Sequence, residues 1–190
     1  MEHGFRGQKI LVLGCSGSGK STFAKILAER TGLPLFHLDN LWWKADRTHI
    51  SREEFDQKLR EILKEEQWIL DGDYSRTYET RIRACDTIFV LDYPEEVCRN
   101  GIEARVGTKR TDIPWIEEQL DPELVELVKN YRTEKRPKLF ALLERYPMKE
   151  RFLFHSRTEA DAWIEALKVP VKGNIGNRTE KREADDLLER

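Results

Sequence analysis

The chain has 190 residues, 39% hydrophobic and 36% charged, with a formal net charge of −2. That length and apolar content fit one domain around one core, and charges that nearly cancel argue against a nucleic-acid coat or an anionic membrane as partner. No apolar run approaches the ~20 residues that cross a bilayer and residues 1–8 lack an apolar signal core, so a cytoplasmic location is the default expectation.

Residues 9–13 form a short apolar run stopped by Gly14, the pattern of a buried parallel strand. Residues 20–31 then place Phe23, Ile26 and Leu27 at helical spacing, with Gly32 as terminator. Residues 34–38 read as a second strand ending in Asp39. Ser51 followed by Glu54 is a capping-box start for a helix carrying Phe55, Leu59, Ile62 and Leu63 on one face. Trp68, Ile69 and Leu70 form a third strand closed by Asp71-Gly72, and residues 74–85 are expected to be partly helical. Residues 87–91 are a fourth strand closed by Asp92, and Pro94 opens a helix over 95–105.

Residues 105–121 lack periodicity and contain Gly107 and Pro114, so a mobile insertion is expected there. Helical spacing covers 122–136, Pro137 is expected to interrupt it, and 138–146 continues. A fifth strand over 151–155 and an amphipathic helix over 159–167 complete a domain spanning 1–170. Residues 171–190 are expected to be a disordered tail or a frayed helix. No internal repeat is present. Strands alternating with helices imply an α/β fold, a mostly parallel sheet with helices on both faces. Ligands then sit beyond the carboxyl ends of the strands.

Gly14-Cys15-Ser16-Gly17-Ser18-Gly19-Lys20-Ser21 matches the phosphate-loop pattern G-x-x-x-x-G-K-[ST]. Glycines let successive N–H groups turn toward phosphate oxygens, and the helix that follows aims its positive end at the same place. Gly14, Ser16, Gly17, Ser18, Gly19, Lys20, Ser21 and Thr22 are therefore the expected nucleotide-binding set. Lys20 is expected to reach the β- and γ-phosphates and the Ser21 hydroxyl to ligate magnesium. Asp71 and Asp92 both end strands on the ligand side, and either is a candidate for holding that magnesium; Asp71, followed by Gly72, is favoured. Asp39, with Trp42 beside it, is a candidate to hold and deprotonate an acceptor hydroxyl, with the tryptophan stacking on a sugar or aromatic ring.

Arginines stabilise charge on a transferred phosphoryl group. Arg76, Arg81, Arg105, Arg110, Arg132 and Arg136 are the candidates, Arg81 and Arg105 foremost, and their placement around 105–121 suggests a lid. The three cysteines, Cys15, Cys85 and Cys98, fit neither a disulfide framework nor a zinc site and are expected to be reduced and mostly buried. Cys15 lies inside the phosphate loop, where oxidation or alkylation would disturb binding. His37, His49 and His155 show no metal-ligand spacing and are assigned no chemistry, and Trp115 and Trp163 are expected to be packing residues.

Together these residues resemble the nucleoside-monophosphate-kinase-like P-loop proteins, relatives of adenylate kinase, and within them the small bacterial group known as DNA topology modulation proteins. The resemblance runs from about Lys9 to Leu167. It rests on Gly14 to Ser21, His37-Leu38-Asp39 with Trp42-Trp43, Trp68 to Tyr74, Arg81 with Ala84 and Asp86, Leu91 to Pro94, and Tyr131-Arg132 with Arg136-Pro137. It implies a P-loop three-layer α/β/α fold with a five-stranded parallel sheet in the order 2-3-1-4-5 and a lid at about 105–121. It implies ATP and Mg²⁺, with Ser21 and Asp71 serving the metal. It supports Asp71 and Asp39 in these roles and makes Arg105 the lid-opening arginine; on the kinase reading Lys20, Asp39, Asp71 and Arg105 would be catalytic, and Asp39 would bind the acceptor with Trp42, Tyr74, Arg81, Arg132 and Arg136.

Two positions depart from the pattern. Gly101 stands where many relatives carry an arginine against the adenine ring, so ATP and GTP both remain open. Asp73 stands where the group carries asparagine, adding negative charge beside the site. The expected function is an ATP-dependent phosphotransferase acting on a nucleotide or another small hydroxyl compound. The alternatives are a nucleotide-switched regulatory ATPase associated with nucleic acid and a degenerate P-loop protein that binds nucleotide structurally.

Overall fold

The computed structural model describes residues 5–167. Five strands, β1 (Lys9–Gly14), β2 (Leu35–His37), β3 (Trp68–Asp71), β4 (Thr87–Leu91) and β5 (Glu150–Phe154), pair in parallel in the order β2-β3-β1-β4-β5. This is the expected order. The helices are α1 (Lys20–Thr31), α2 (Leu38–Trp42), α3 (Arg52–Lys64), α4 (Tyr78–Ala84), α5 (Glu95–Glu103), α6 (Pro122–Asn130), α7 (Arg136–Leu143) and α8 (Arg157–Ala166).

Strand periodicity divides the interior into two cores. Ile10, Val12, Ile69, Phe89 and Leu91 point to the face covered by α1, α5, α6 and α8, where Phe23, Leu27, Cys98, Ile102, Val128 and Ile164 meet them. Leu11, Leu13, Trp68, Leu70, Ile88 and Val90 point to the other face, against Phe55 and Leu59 of α3, Ile82 of α4 and Leu139 and Leu143 of α7. β1 and β4, buried on both faces, therefore read as unbroken apolar runs. Phe89 anchors the first core, stacked on Phe152 at 4.9 Å and packed edge-on with Trp163 at 4.8 Å. Trp163 is a packing residue, as expected.

Several boundaries differ from the sequence reading for local physical reasons. β2 stops at His37, and Leu38 already starts α2, so Asp39 lies in the first turn of a helix just past the strand. Ser51 caps α3 by accepting from the Glu54 N–H, while the Glu54 carboxylate pairs with Lys58 at 2.9 Å. The break expected at Pro137 falls earlier, as a π-helical turn over Tyr131–Lys135, and Pro137 sits in the first turn of α7. A proline ring clashes with the carbonyl four residues back and removes one N–H from the ladder, so the helix widens before the proline and then continues. α8 begins at Arg157 because the Ser156 hydroxyl accepts from the Glu159 N–H. Residues 104–121 form no regular helix or strand. The tail expected over 171–190 lies outside the described residues.

Phe89 is fully buried at the centre of the aromatic cluster. Replacing it with alanine is expected to lower stability by about 3–5 kcal/mol, read as a lower urea midpoint at unchanged slope.

Candidate functional site

The connection from β1 to α1 crosses the carboxyl edge of the sheet. Gly17 and Gly19 adopt φ of 80° and 92°, a conformation in which a side chain would be strained. A Cβ on Gly17 would lie 2.0 Å from the Cys98 carbonyl oxygen, and one on Gly101 would lie 2.0 Å from the Gly17 carbonyl oxygen. The loop thus rests directly on the backbone of α5. That contact accounts for glycine at 101, because no side chain fits between the two backbones. A Cβ on Gly19 would meet nothing within 4 Å, so this glycine faces open space.

That space is a cleft of about 1610 Å³. From the loop, Ser16, Gly17, Gly19, Lys20, Ser21 and Thr22 line it; Asp39, Trp42, Asp71, Tyr74 and Arg105 line it too. Gly14 and Ser18 are buried behind the lining. Lys20 folds back to donate to the Cys15 carbonyl at 2.8 Å, and the Ser21 hydroxyl donates to Asp112 Oδ2 at 2.8 Å. Three buried oxygens, Ser18 Oγ, Asp71 Oδ1 and Asp73 Oδ2, have no hydrogen-bond partner among the described residues. All three cysteines are free and buried. The neighbouring Cys98 and burial together push the Cys15 thiol up, which leaves it protonated and a poor target for alkylation.

Strand register carries the carboxylates. Val12 pairs with Asp71, which sets that side chain next to the strand feeding the loop. Asp92, the other strand-end candidate, is gripped by Arg136 through bonds of 2.7 and 2.6 Å and does not line the cleft. Of the two, Asp71 faces the loop. Asp39 accepts from the Tyr74 hydroxyl at 2.8 Å. Burial raises its pKa above the usual carboxylate value; the charges of Asp71 and Asp112 add to this, against the lowering effect of Tyr74 and Lys20.

Three of the expected acceptor-binding arginines lie elsewhere. Arg81 is fully buried and donates to Thr77 Oγ1, the Gly72 carbonyl and the Tyr74 carbonyl, each at 3.0 Å. It holds the turn after β3 from behind and cannot reach a ligand in the cleft. Arg132 donates to the Tyr93 carbonyl at 3.3 Å and Arg136 is committed to Asp92, and neither lines the cleft. Both arginines thus end on the residues just past β4, Asp92 and Tyr93. Arg105 does line the cleft, paired with Glu117 at 3.0 Å.

The structure also brings in residues that the sequence reading passed over. Asp112, 3% exposed, takes both Ser21 and Arg110 as donors, and Arg110 also pairs with Glu117 at 2.8 Å. His37 Nδ1 lies 2.9 Å from Asp71 Oδ2. His37 and Asp71 are register partners across β2 and β3, so aligning those two strands on paper would have found the pair. Trp115 is a cleft residue: it packs edge-on against Trp43 at 5.6 Å, and both line the cavity with Trp42. Asn40 on α2 donates to the Thr111 carbonyl at 2.8 Å, tying this aromatic wall to the 104–121 segment.

Comparison with known proteins places this geometry. The family model described as AAA domain matches residues 10–125, more than half of the chain. Adenylate kinase from Thermotoga neapolitana is 28% identical over 93 residues, which are 47% of this chain and 41% of that protein. The chain therefore matches about two fifths of this curated relative's length. Shikimate kinase from Acinetobacter baumannii superposes with a TM-score of 0.55 at 12% identity, covering 83% of this chain and 89% of that one. Shikimate kinase from Bacteroides thetaiotaomicron gives 0.54 at 16% identity, covering 85% and 97%. These likenesses show the P-loop three-layer α/β/α fold.

The His37–Asp71 pair makes a testable contribution to stability. Burial alone would lower the His37 pKa, but the hydrogen bond and charge of Asp71, with the charges of Asp112 and Asp39, raise it above its ordinary value. A folded-state pKa above the unfolded one stabilises fully below the unfolded value, and that contribution is lost as pH rises through the folded value. The stability difference between the wild type and His37→Gln is therefore expected to be largest near pH 5.5 and to shrink toward about pH 8.5, measured by urea melts across that range.

Proposed function

The chain belongs to the AAA-domain family, and from that premise we propose that it is an ATP-dependent phosphotransferase acting on a small hydroxyl-bearing acceptor. The observation that carries this reading is that two chemistries line one cleft. Residues of the phosphate loop and the carboxylates of Asp39 and Asp71 line the same cavity. A water-exposed phosphate loop alone would suit many nucleotide-binding proteins. A half-buried carboxylate with a raised pKa in the same cleft suits an acceptor.

In this reading, loop amides and the α1 N-terminus bind the β- and γ-phosphates, and Lys20 swings from the Cys15 carbonyl to join them. The unpartnered Ser18 and Asp71 oxygens fit groups that a bound polyphosphate and its cation complete. Ser21 and Asp71 would hold Mg²⁺, which supplies charge neutralisation on the transferred group. Arg105 adds positive charge from the irregular segment, which would act as the lid. Asp39, aligned by Tyr74, takes the proton from the acceptor hydroxyl, and its raised pKa brings it closer to the working range of a general base. Trp42, Trp43 and Trp115 offer flat apolar faces to a ring on the acceptor. Tight backbone packing at Gly101 removes the arginine that many relatives place against adenine, and base preference then rests on other contacts. The group known as DNA topology modulation proteins shares these motif residues, and the same chemistry is proposed irrespective of that name.

Transfer of labelled γ-phosphate from ATP to members of a panel of nucleotides, nucleosides, sugars and aromatic alcohols tests the reading. Asp39→Asn is expected to lower kcat by about 10²–10⁴-fold with ATP binding retained. The wild-type kcat is expected to rise with pH through a value above the ordinary carboxylate pKa, and the variant to lose that limb. Phosphate released only to water, at equal rates in both proteins, would remove the acceptor role.

A further inference from the structure

Asp112 is a carboxylate placed among groups that bind phosphate. It is 3% exposed although it belongs to the irregular 104–121 segment, and it lines the same cleft as the phosphate loop. Its Oδ2 accepts from the Ser21 hydroxyl at 2.8 Å, in the first turn of α1. Arg110 grips it as a fork, with Nε 2.9 Å from Oδ1 and Nη2 on Oδ2. A phosphate-loop hydroxyl and a bidentate arginine are two donors that commonly meet a phosphoryl group. Here they converge on a side chain of the protein itself.

Neighbouring charges make that arrangement exchangeable. The charges of Asp71 and Asp112 both push the Asp39 pKa up, so Asp112 stands within electrostatic reach of that carboxylate. Glu117 already shares Arg110 at 2.8 Å and Arg105 at 3.0 Å, so the arginines keep a counter-ion when Asp112 leaves. Ser21 in contrast has Asp112 as its one side-chain partner among the described residues.

We propose that Asp112 is an internal stand-in for a phosphoryl group, a positioning residue that holds Ser21 and Arg110 in their anion-binding geometry and is displaced when a triphosphate enters. This rests on the phosphate loop binding nucleotide, as proposed above, and adds a residue that opposes binding. Displacement has two consequences. Ser21 becomes free for the nucleotide's cation, and Arg110 becomes free to meet the phosphates. The donors are already aligned before the ligand arrives, at the expense of affinity.

Asp112→Asn removes the competing charge while keeping its shape, and Asp112→Ser serves if the first variant fails to melt cooperatively. Binding of ATP with magnesium, and of inorganic tripolyphosphate, is measured by calorimetry for each chain. Release of one charge-assisted hydrogen-bonded contact is expected to tighten both ligands by about tenfold. Loss of a merely structural tie would loosen the loop and weaken both. Wild-type binding with equal or weaker binding by the variants overturns the role of Asp112 alone. Binding by the variants but not by the wild type supports it. Binding by neither overturns both this role and the nucleotide-binding reading beneath it.

Discussion

The contact between the phosphate loop and α5 constrains everything else in the site. Gly17 and Gly101 meet backbone to backbone, at a separation that admits no side chain on either. This contact sets the height of the loop above the sheet, and with it the direction of the first amides of α1. The parallel register then does the rest. Once β1 is seated between β3 and β4, Asp71 comes beside the loop, and the turn after β3 carries Asp73 and Tyr74 into the cleft lining. Arg81 locks that turn by bonding its carbonyls from behind. A cation buried this way orders the backbone, and a ligand never needs to touch it.

Electrostatically the cleft is a near-balanced set of opposed charges. Asp39, Asp71, Asp73 and Asp112 line it together with Lys20, Lys135, Arg105 and Arg110, and Arg110 pairs directly with Asp112 and Lys135 with Asp73. Desolvation raises the pKa of Asp39 and Asp73, whereas Arg110 and Ser21 hold Asp112 below the usual carboxylate value despite its burial. Carboxylates in one cleft with pKa values driven apart are what a site needs to keep one as a base and another as a fixed anion. The whole protein is close to neutral, and the local pattern supplies what the net charge hides.

Much of this was legible in the sequence because it rests on local patterns. The phosphate loop, the apolar runs of β1, β3 and β4 and the cap at Ser51 are short-range signals, and each stands where the spacing put it. The strand order came from the motif resemblance, since periodicity says nothing about which strands are neighbours. The arginines were not legible. Arg81, Arg105, Arg132 and Arg136 look alike in a string of letters, and only packing separates a buried brace from a cleft residue. Asp112 was hidden for a related reason: it lies in a charge-rich stretch with no periodicity, and its partner Ser21 is far away in sequence. Trp115, a packing residue on its sequence, does pack on Trp43, but it lines the cleft rather than the core.

The central claim is that amides between Gly14 and Ser21, with the Lys20 ammonium, cradle a polyphosphate. A crystal structure of the chain grown with magnesium and a non-hydrolysable ATP analogue tests it most directly. The account predicts β- and γ-phosphate oxygens within about 2.7–3.2 Å of the loop N–H groups, with Lys20 Nζ moved from the Cys15 carbonyl onto them. Nucleotide seated elsewhere, with Lys20 still bonded to Cys15, would contradict it.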